Sequence, residues 1–405
     1  MSHFDSPCSD ISLVISSSML GLPEEIFLHV LSYLDTSAKL SAAQVCKTWR
    51  DKVNDWNLWK GVTAHLSLEQ DMNEIVPVLE QRRISRVHIS EKKSQEVELT
   101  QGVVDKEVDF RELCNLTRMM CDTLCHLDLT DLHVPNDKLH EALTPSMSKL
   151  TELMLSNRPH YNTTTYKTLA NNCGKLERLV CCGFLMRDND IVAMGMRMPN
   201  LHELDLSLGR HVTLFWFNNR SAMLLQCYMP KLTKLNLSAC RINRTGLVSL
   251  SKLESLQELN LQSCFDLPDD CICILSEGKC GQQLSVLNIS HCKMMNSEAV
   301  VASMLDYPLP LREFSITSHE WCKITDDGIQ ALLLESGKEL ESLALYGRTC
   351  ITDIGFYMIA NTCTKLKTFI TSGKYQLATE GLNKLKRMAS KPKVKYLVGR
   401  HYVDL

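Results

Sequence analysis

One spacing constrains this chain more than any other: Leu-x-x-Leu-x-Leu returns with its first leucine at Leu124, Leu150, Leu176, Leu201, Leu232, Leu256, Leu284, Leu311, Leu340 and Leu366. The copies stand about 27 residues apart, the length of one short strand plus one returning helix. Ile84, Val87 and Ile89 form a divergent eleventh copy. A strand alternates its side chains, so Leu235 and Leu237 face inward while Lys234, Asn236 and Ser238 face outward. Segments such as Leu169 to Cys173 and Met358 to Cys363 read as helices on the outer side. No single unit can bury its own apolar face, so neighbouring units must stack. The expected fold is a curved α/β solenoid, with parallel strands inside and helices outside.

Small residues punctuate the units at fixed places. Cys240, Cys264 and Cys292 follow the strand, where a small buried side chain can bond the turn backbone. Ile324-Thr325-Asp326-Asp327-Gly328-Ile329 and Ile351-Thr352-Asp353-Ile354-Gly355-Phe356 place Thr-Asp ahead of a helix as an N-cap. These residues resemble the cysteine-containing subclass of leucine-rich repeats, over roughly 80–390. Ten strands about 4.8 Å apart make a sheet on the order of 45 Å along its arc, wide enough for a protein rather than a metabolite.

Residues 20–62 break the period and read as helices. Pro23 suits a helix start, Glu24 and Glu25 complement its N-terminus, and Ile26, Val30 and Leu34 recur along it. Asp35, Thr36 or Ser37 can cap a second helix, and Trp49, Trp56 and Trp59 follow closely. On periodicity alone this is a helical cap for the solenoid's open end. The order Leu22-Pro23-Glu24-Glu25-Ile26, Ser32-Tyr33-Leu34, Val45-Cys46-Lys47-Thr48-Trp49, Leu58-Trp59 resembles the F-box. Where that family often has an acidic residue before leucine, this chain has Lys39-Leu40. The resemblance implies a three-helix module that docks on the Skp adaptor and, through it, cullin and RING subunits of an SCF ubiquitin ligase. It further implies that Leu22, Pro23, Ile26, Leu31, Leu34, Leu40, Val45, Cys46, Trp49 and Trp59 supply adaptor contacts or their support. The repeats would then select a protein for ubiquitin-dependent proteasomal degradation.

The organisation expected is a disordered tail over 1–19, the F-box over 20–62, a helical connection over 63–83, the solenoid over 84–390 and a cap or tail over 391–405. A protein target would meet the concave face or rim. Outward strand positions carry Asp128, Asp205, Asn236, Asn260 and Asn288, a polar ladder that equally well faces solvent. The interval from Leu201 to Leu232 is stretched and contains Phe215, Trp216, Phe217 and Arg220, residue types enriched at binding hot spots. The alternative reading packs Phe215 and Phe217 beneath the loop. Arg158, His160 and Tyr161, then His319 and Trp321, then Tyr346 and Arg348, occupy corresponding positions after other strands.

Other chemistry has little support. With 44 basic against 47 acidic residues, no global field draws nucleic acid or an anionic membrane. No apolar run approaches the length of a membrane span, and the first 19 residues lack a basic secretory start, so a cytoplasmic or nuclear location is expected. The 18 cysteines read as reduced buried thiols, without the paired spacings of a zinc site. No glycine-rich phosphate loop or catalytic signature appears, so no metal, cofactor or enzyme activity is expected. The reading from another class is a repeat scaffold or inhibitor that holds its target without ubiquitylation.

Overall fold

The computed structural model describes residues 22–90, 109–155, 163–182, 186–207, 217–293, 295–318, 323–347, 349–372, 379–387, 393–398 and 401–404. Fourteen strands form one sheet in strict chain order. They are β1 Thr63–Ser67, β2 Arg86–Ser90, β3 His126–Leu129, β4 Glu152–Leu155, β5 Arg178–Cys181, β6 Glu203–Asp205, β7 Lys234–Asn236, β8 Glu258–Asn260, β9 Val286–Ile289, β10 Glu313–Ser318, β11 Ser342–Gly347, β12 Thr368–Ser372, β13 Lys393–Val398 and β14 His401–Asp404. All neighbours through β13 pair in parallel, each pair joined by a crossover, and only β14 turns back antiparallel. The result is an α/β solenoid with its strands inside.

All ten leading leucines are buried, as are the strand leucines one turn of the pattern later, such as Leu235, Leu237, Leu259 and Leu261. Each fully buried leucine contributes about 1.5–3 kcal/mol relative to exposure. The divergent copy at Ile84 is β2, with Val87 and Ile89 inside. The sheet also runs further than the leucine pattern at both ends. Residues 63–83, read from sequence as a connection, hold β1 and the helix Met72–Gln81. Residues 393–398, read as a cap or tail, extend the sheet as β13. Terminal units meet a neighbour on one side only, so they depart from the consensus that marks internal copies.

Two hydrogen-bonded rows hold successive units in register. Inside, the Cys264 and Cys292 thiols each donate to the carbonyl of a strand leucine one unit earlier, Leu237 and Leu261, at 3.3 Å. At the helix starts, a side chain of one unit accepts from the backbone of the next. Asp326 takes the Thr352 amide at 2.9 Å, Asp353 takes Gly381 at 2.7 Å, and Asn219 takes both Asn243 and Gly246. Thus the aspartate of each Thr-Asp pair bonds the following unit, while of the two threonines only Thr352 caps its own helix with its side chain, accepting the Ile354 amide at 3.1 Å.

Burial pushes the Cys173 and Cys363 thiols up to about 12, and those of Cys240 and Cys264 higher still. A thiol that resists ionising and lies out of reach is inert to alkylation. Iodoacetamide treatment of the folded chain, read by mass spectrometry, should modify the exposed Cys227 and Cys350 while sparing Cys240, Cys264 and Cys271 until denaturant is added.

Candidate functional site

The N-terminal module is built from α1 (Glu24–Ser32), α2 (Thr36–Ala42), α3 (Lys47–Val53) and the 3-10 turn Trp56–Trp59. Pro23 is the N-cap of α1 rather than its first residue, and Asp35 caps α2 by accepting the Ala38 amide at 2.7 Å. Helix α1 carries two apolar stripes. Phe27, Leu31 and Leu34 turn inward, and the Phe27 ring meets Trp49 edge-on at 5.1 Å. Leu22, Ile26, Val30 and Tyr33 turn outward, spaced by four, four and three residues along one face. Leu40 and Val45 are also exposed. Of seventeen exposed large apolar side chains among the described residues, seven lie between 22 and 56, a density that marks an interaction face.

The expected adaptor residues therefore divide. Leu22, Pro23, Ile26, Leu40 and Val45 are exposed and available to a partner. Leu31 and Trp59 are not: at 1% and 2% exposure they belong to the chain's own core and can only support the face. Leu34, Cys46 and Trp49 are intermediate. Lys39 is buried, its ammonium donating to the Leu58 carbonyl at 3.0 Å and so tying α2 to the last turn.

The same turn fixes the module to the solenoid. The Trp59 indole donates to the Val53 carbonyl at 2.5 Å, and the Arg82 guanidinium lies 4.2 Å from the Trp59 ring while bonding Asn54 at 2.9 Å. Arg83 lies 4.9 Å from the Trp56 ring. Arg83 adopts φ +52°, the position a glycine usually takes after a helix, with Ile84 donating back to Leu79 at 2.8 Å. An arginine here costs backbone strain of order 1 kcal/mol, offset by a cation–π contact of similar size. Nothing in the leucine spacing points to these arginines.

A second surface is the concave face of the sheet, where a cavity of about 310 Å³ opens across β5 to β10. The outward positions Asp205, Asn236, Asn260 and Asn288 line it. The first residues of β2 to β8 form an adjacent row of ion pairs. Arg86 bonds Glu152 at 3.0 Å, Arg178 reaches Glu152 at 3.8 Å and Glu203 at 3.2 Å, and Lys234 bridges Glu203 and Glu258 at 3.3 and 3.2 Å. Burial works to raise the Glu152 carboxyl, but bonds from Arg86 and His126 outweigh it and leave it below its ordinary value. This row was legible in principle: the residue two places after each leading leucine, from Leu150 on, reads Glu, Arg, Glu, Lys, Glu, Val, Glu.

The rim expected from sequence is only partly within the described residues. Arg158, His160, Tyr161, Phe215, Trp216, His319, Trp321 and Arg348 lie outside them. Tyr346 is half-buried, with its ring 5.3 Å from His291. Arg220 sits in the first turn of the helix Asn219–Tyr228, largely exposed and paired with Asp188 of the preceding unit at 3.0 Å. Phe217 is buried, in keeping with the alternative that part of this segment packs beneath it.

Comparison with known proteins follows this division. The F-box-like family matches residues 19–65, and a leucine-rich-repeat family matches residues 228–251. The chain thus carries an F-box-like domain near its N-terminus and a leucine-rich-repeat segment. Its fold is similar to a chain of the yeast Rad7 and Elc1 complex, with a TM-score of 0.57 at 14% identity, covering 97% of this chain and 98% of that one. The F-box core and the F-box surface should separate on substitution. Leu31→Ala should lower stability by about 2–5 kcal/mol, whereas Ile26→Asp, at a site 49% exposed, should change it by about 0.5 kcal/mol or less in thermal unfolding.

Proposed function

We propose that this chain is the substrate-recognition subunit of an SCF-type ubiquitin ligase, non-catalytic itself, with its F-box on the Skp adaptor and its repeats on a protein target. The single observation that carries this reading is the outward stripe Leu22, Ile26, Val30 and Tyr33 on α1, joined by Leu40 and Val45. A stripe of this kind, beside a complete core, needs a second protein to remove it from water. The F-box-like match over 19–65 supports an adaptor as the partner of this face, and the similar yeast chain comes from a complex with Elc1. The rigid junction through Arg82 and Trp59 then supports a fixed distance between adaptor and target, which transfer of ubiquitin by other subunits requires.

Mechanistically the chain acts by holding two proteins in a set geometry, raising the local concentration of target lysines near the transferring subunits. Cullin and RING subunits enter through the adaptor, and degradation of the target is the expected result in cytoplasm or nucleus. Co-purification of the full chain with the Skp adaptor, and in parallel with Elc1, tests the docking face. The wild type should retain an adaptor, and Leu22→Ala with Pro23→Ala should weaken retention at least about tenfold, since anchors at such faces are worth about 2 kcal/mol. Undiminished retention by that variant, or retention of neither adaptor by the wild type, contradicts the proposal. A captured target whose half-life does not lengthen on depletion of this chain would point to the scaffold reading.

A further inference from the structure

The ion-pair row on the concave face follows a rule that breaks at one place. From β4 to β7 each charge sits beside its opposite: Arg178 lies between Glu152 and Glu203, and Lys234 lies between Glu203 and Glu258. The next rung should be a cation. It is Val286, with Glu258 on one side and Glu313 on the other. Glu258 is therefore paired on one flank only, and Glu313 makes no ion pair among the described residues, its neighbour Arg312 being bonded to Glu341. The two carboxylates begin two strands apart, about 10 Å at the backbone. This is the separation that Lys234 already spans between Glu203 and Glu258.

Beside this gap two amides are half-used. The Asn260 and Asn288 side-chain oxygens accept the Gln262 and Ser290 amides at 3.0 Å, both residues line the cavity, and neither NH₂ group has a partner among the described residues. In the same row the Asn236 NH₂ is already spent on Asp205 at 2.8 Å. The cavity lining as a whole holds Arg178 and Lys234 against Glu203, Asp205, Glu258 and Glu313, an excess of negative charge.

We infer that the concave cavity receives an extended segment of a partner protein that places one arginine or lysine over Val286, its charged end between Glu258 and Glu313 and its carbonyls on the Asn260 and Asn288 amides. The valine suits the alkyl stem of such a side chain while the head reaches the carboxylates. Two flanking acids give direction as well as attraction, because a neutral or acidic side chain at that place leaves Glu313 without an ion pair and Glu258 with Lys234 alone. This inference rests on the reading that the repeats receive a protein, and it names the chemistry that the receiving surface selects.

Random short peptides displayed on phage can be selected against the full-length chain, against Val286→Lys, and against Glu313→Gln. Val286→Lys completes the rung from within, and Glu313→Gln removes a carboxylate that holds nothing else in place. Wild-type selection should enrich an arginine or lysine at one fixed position, and both variants should lose that enrichment. A fluorescein-labelled peptide from the wild-type selection should bind each variant about tenfold more weakly by anisotropy, one charge contact being worth about that factor. Replacing its cation by citrulline should have the same effect. Equal enrichment and equal affinity on wild type and variants would overturn the inference, as would selected peptides without a fixed cation. Adaptor co-purification is measured on the same samples: its retention by Val286→Lys separates loss of this contact from loss of the receptor role.

Discussion

A strand of three to six residues with leucines on one side can hide them only against further copies of the same unit. Everything else in this molecule depends on that requirement. Leu235 and Leu259 are each nearly inaccessible only because β6 to β9 and the helices behind them lie in register. The register in turn brings every residue of a given place in the unit into one row. Leucines make the core row, cysteines make a row bonded to carbonyls, and first-strand residues make the ion-pair row across the concave face. One apolar constraint thereby arranges polar groups that lie tens of residues apart in sequence.

The rows differ in what they contribute. The cysteine row closes carbonyl hydrogen bonds that would otherwise be lost on burial, where an unmade bond costs about 1–3 kcal/mol, while the helix-start row lies nearer the surface. The ion-pair row lies at the surface of the curve, where exposed pairs give about 0–1 kcal/mol each. Its significance is thus selectivity more than stability. Charges that pair along the row offer little to a charged partner, and the interruption at Val286, between Glu258 and Glu313, becomes a place of defined chemistry.

The helical end solves a different problem. Helix α1 has apolar residues on two sides, and only one side finds cover among the described residues. The inner side, with Phe27 and Leu31, meets Trp49 and the turn ending at Trp59, which Arg82 clamps to the first unit of the array. The outer side stays open. A binding face held on a rigidly joined module is pre-organised, so association need not order it first.

The repeat class, its period, the buried leucines and the F-box helices were legible in the amino-acid sequence, because each rests on local spacing that a chain of this kind repeats or on a short ordered motif. The ends of the array were not, since β1 and β13 have a neighbour to satisfy on one side and need not repeat the leucine rule. Sequence also could not divide the F-box residues: Leu31 and Ile26 are both apolar residues of one helix, and only packing against α3 and the last turn puts one in the core and leaves the other in water. The junction through Arg82 and Arg83 and the incomplete pairing of the carboxylates flanking Val286 likewise belong to the tertiary structure, because a charge is paired or free according to what lies across from it, and that is decided by the stacking of units rather than by their order along the chain.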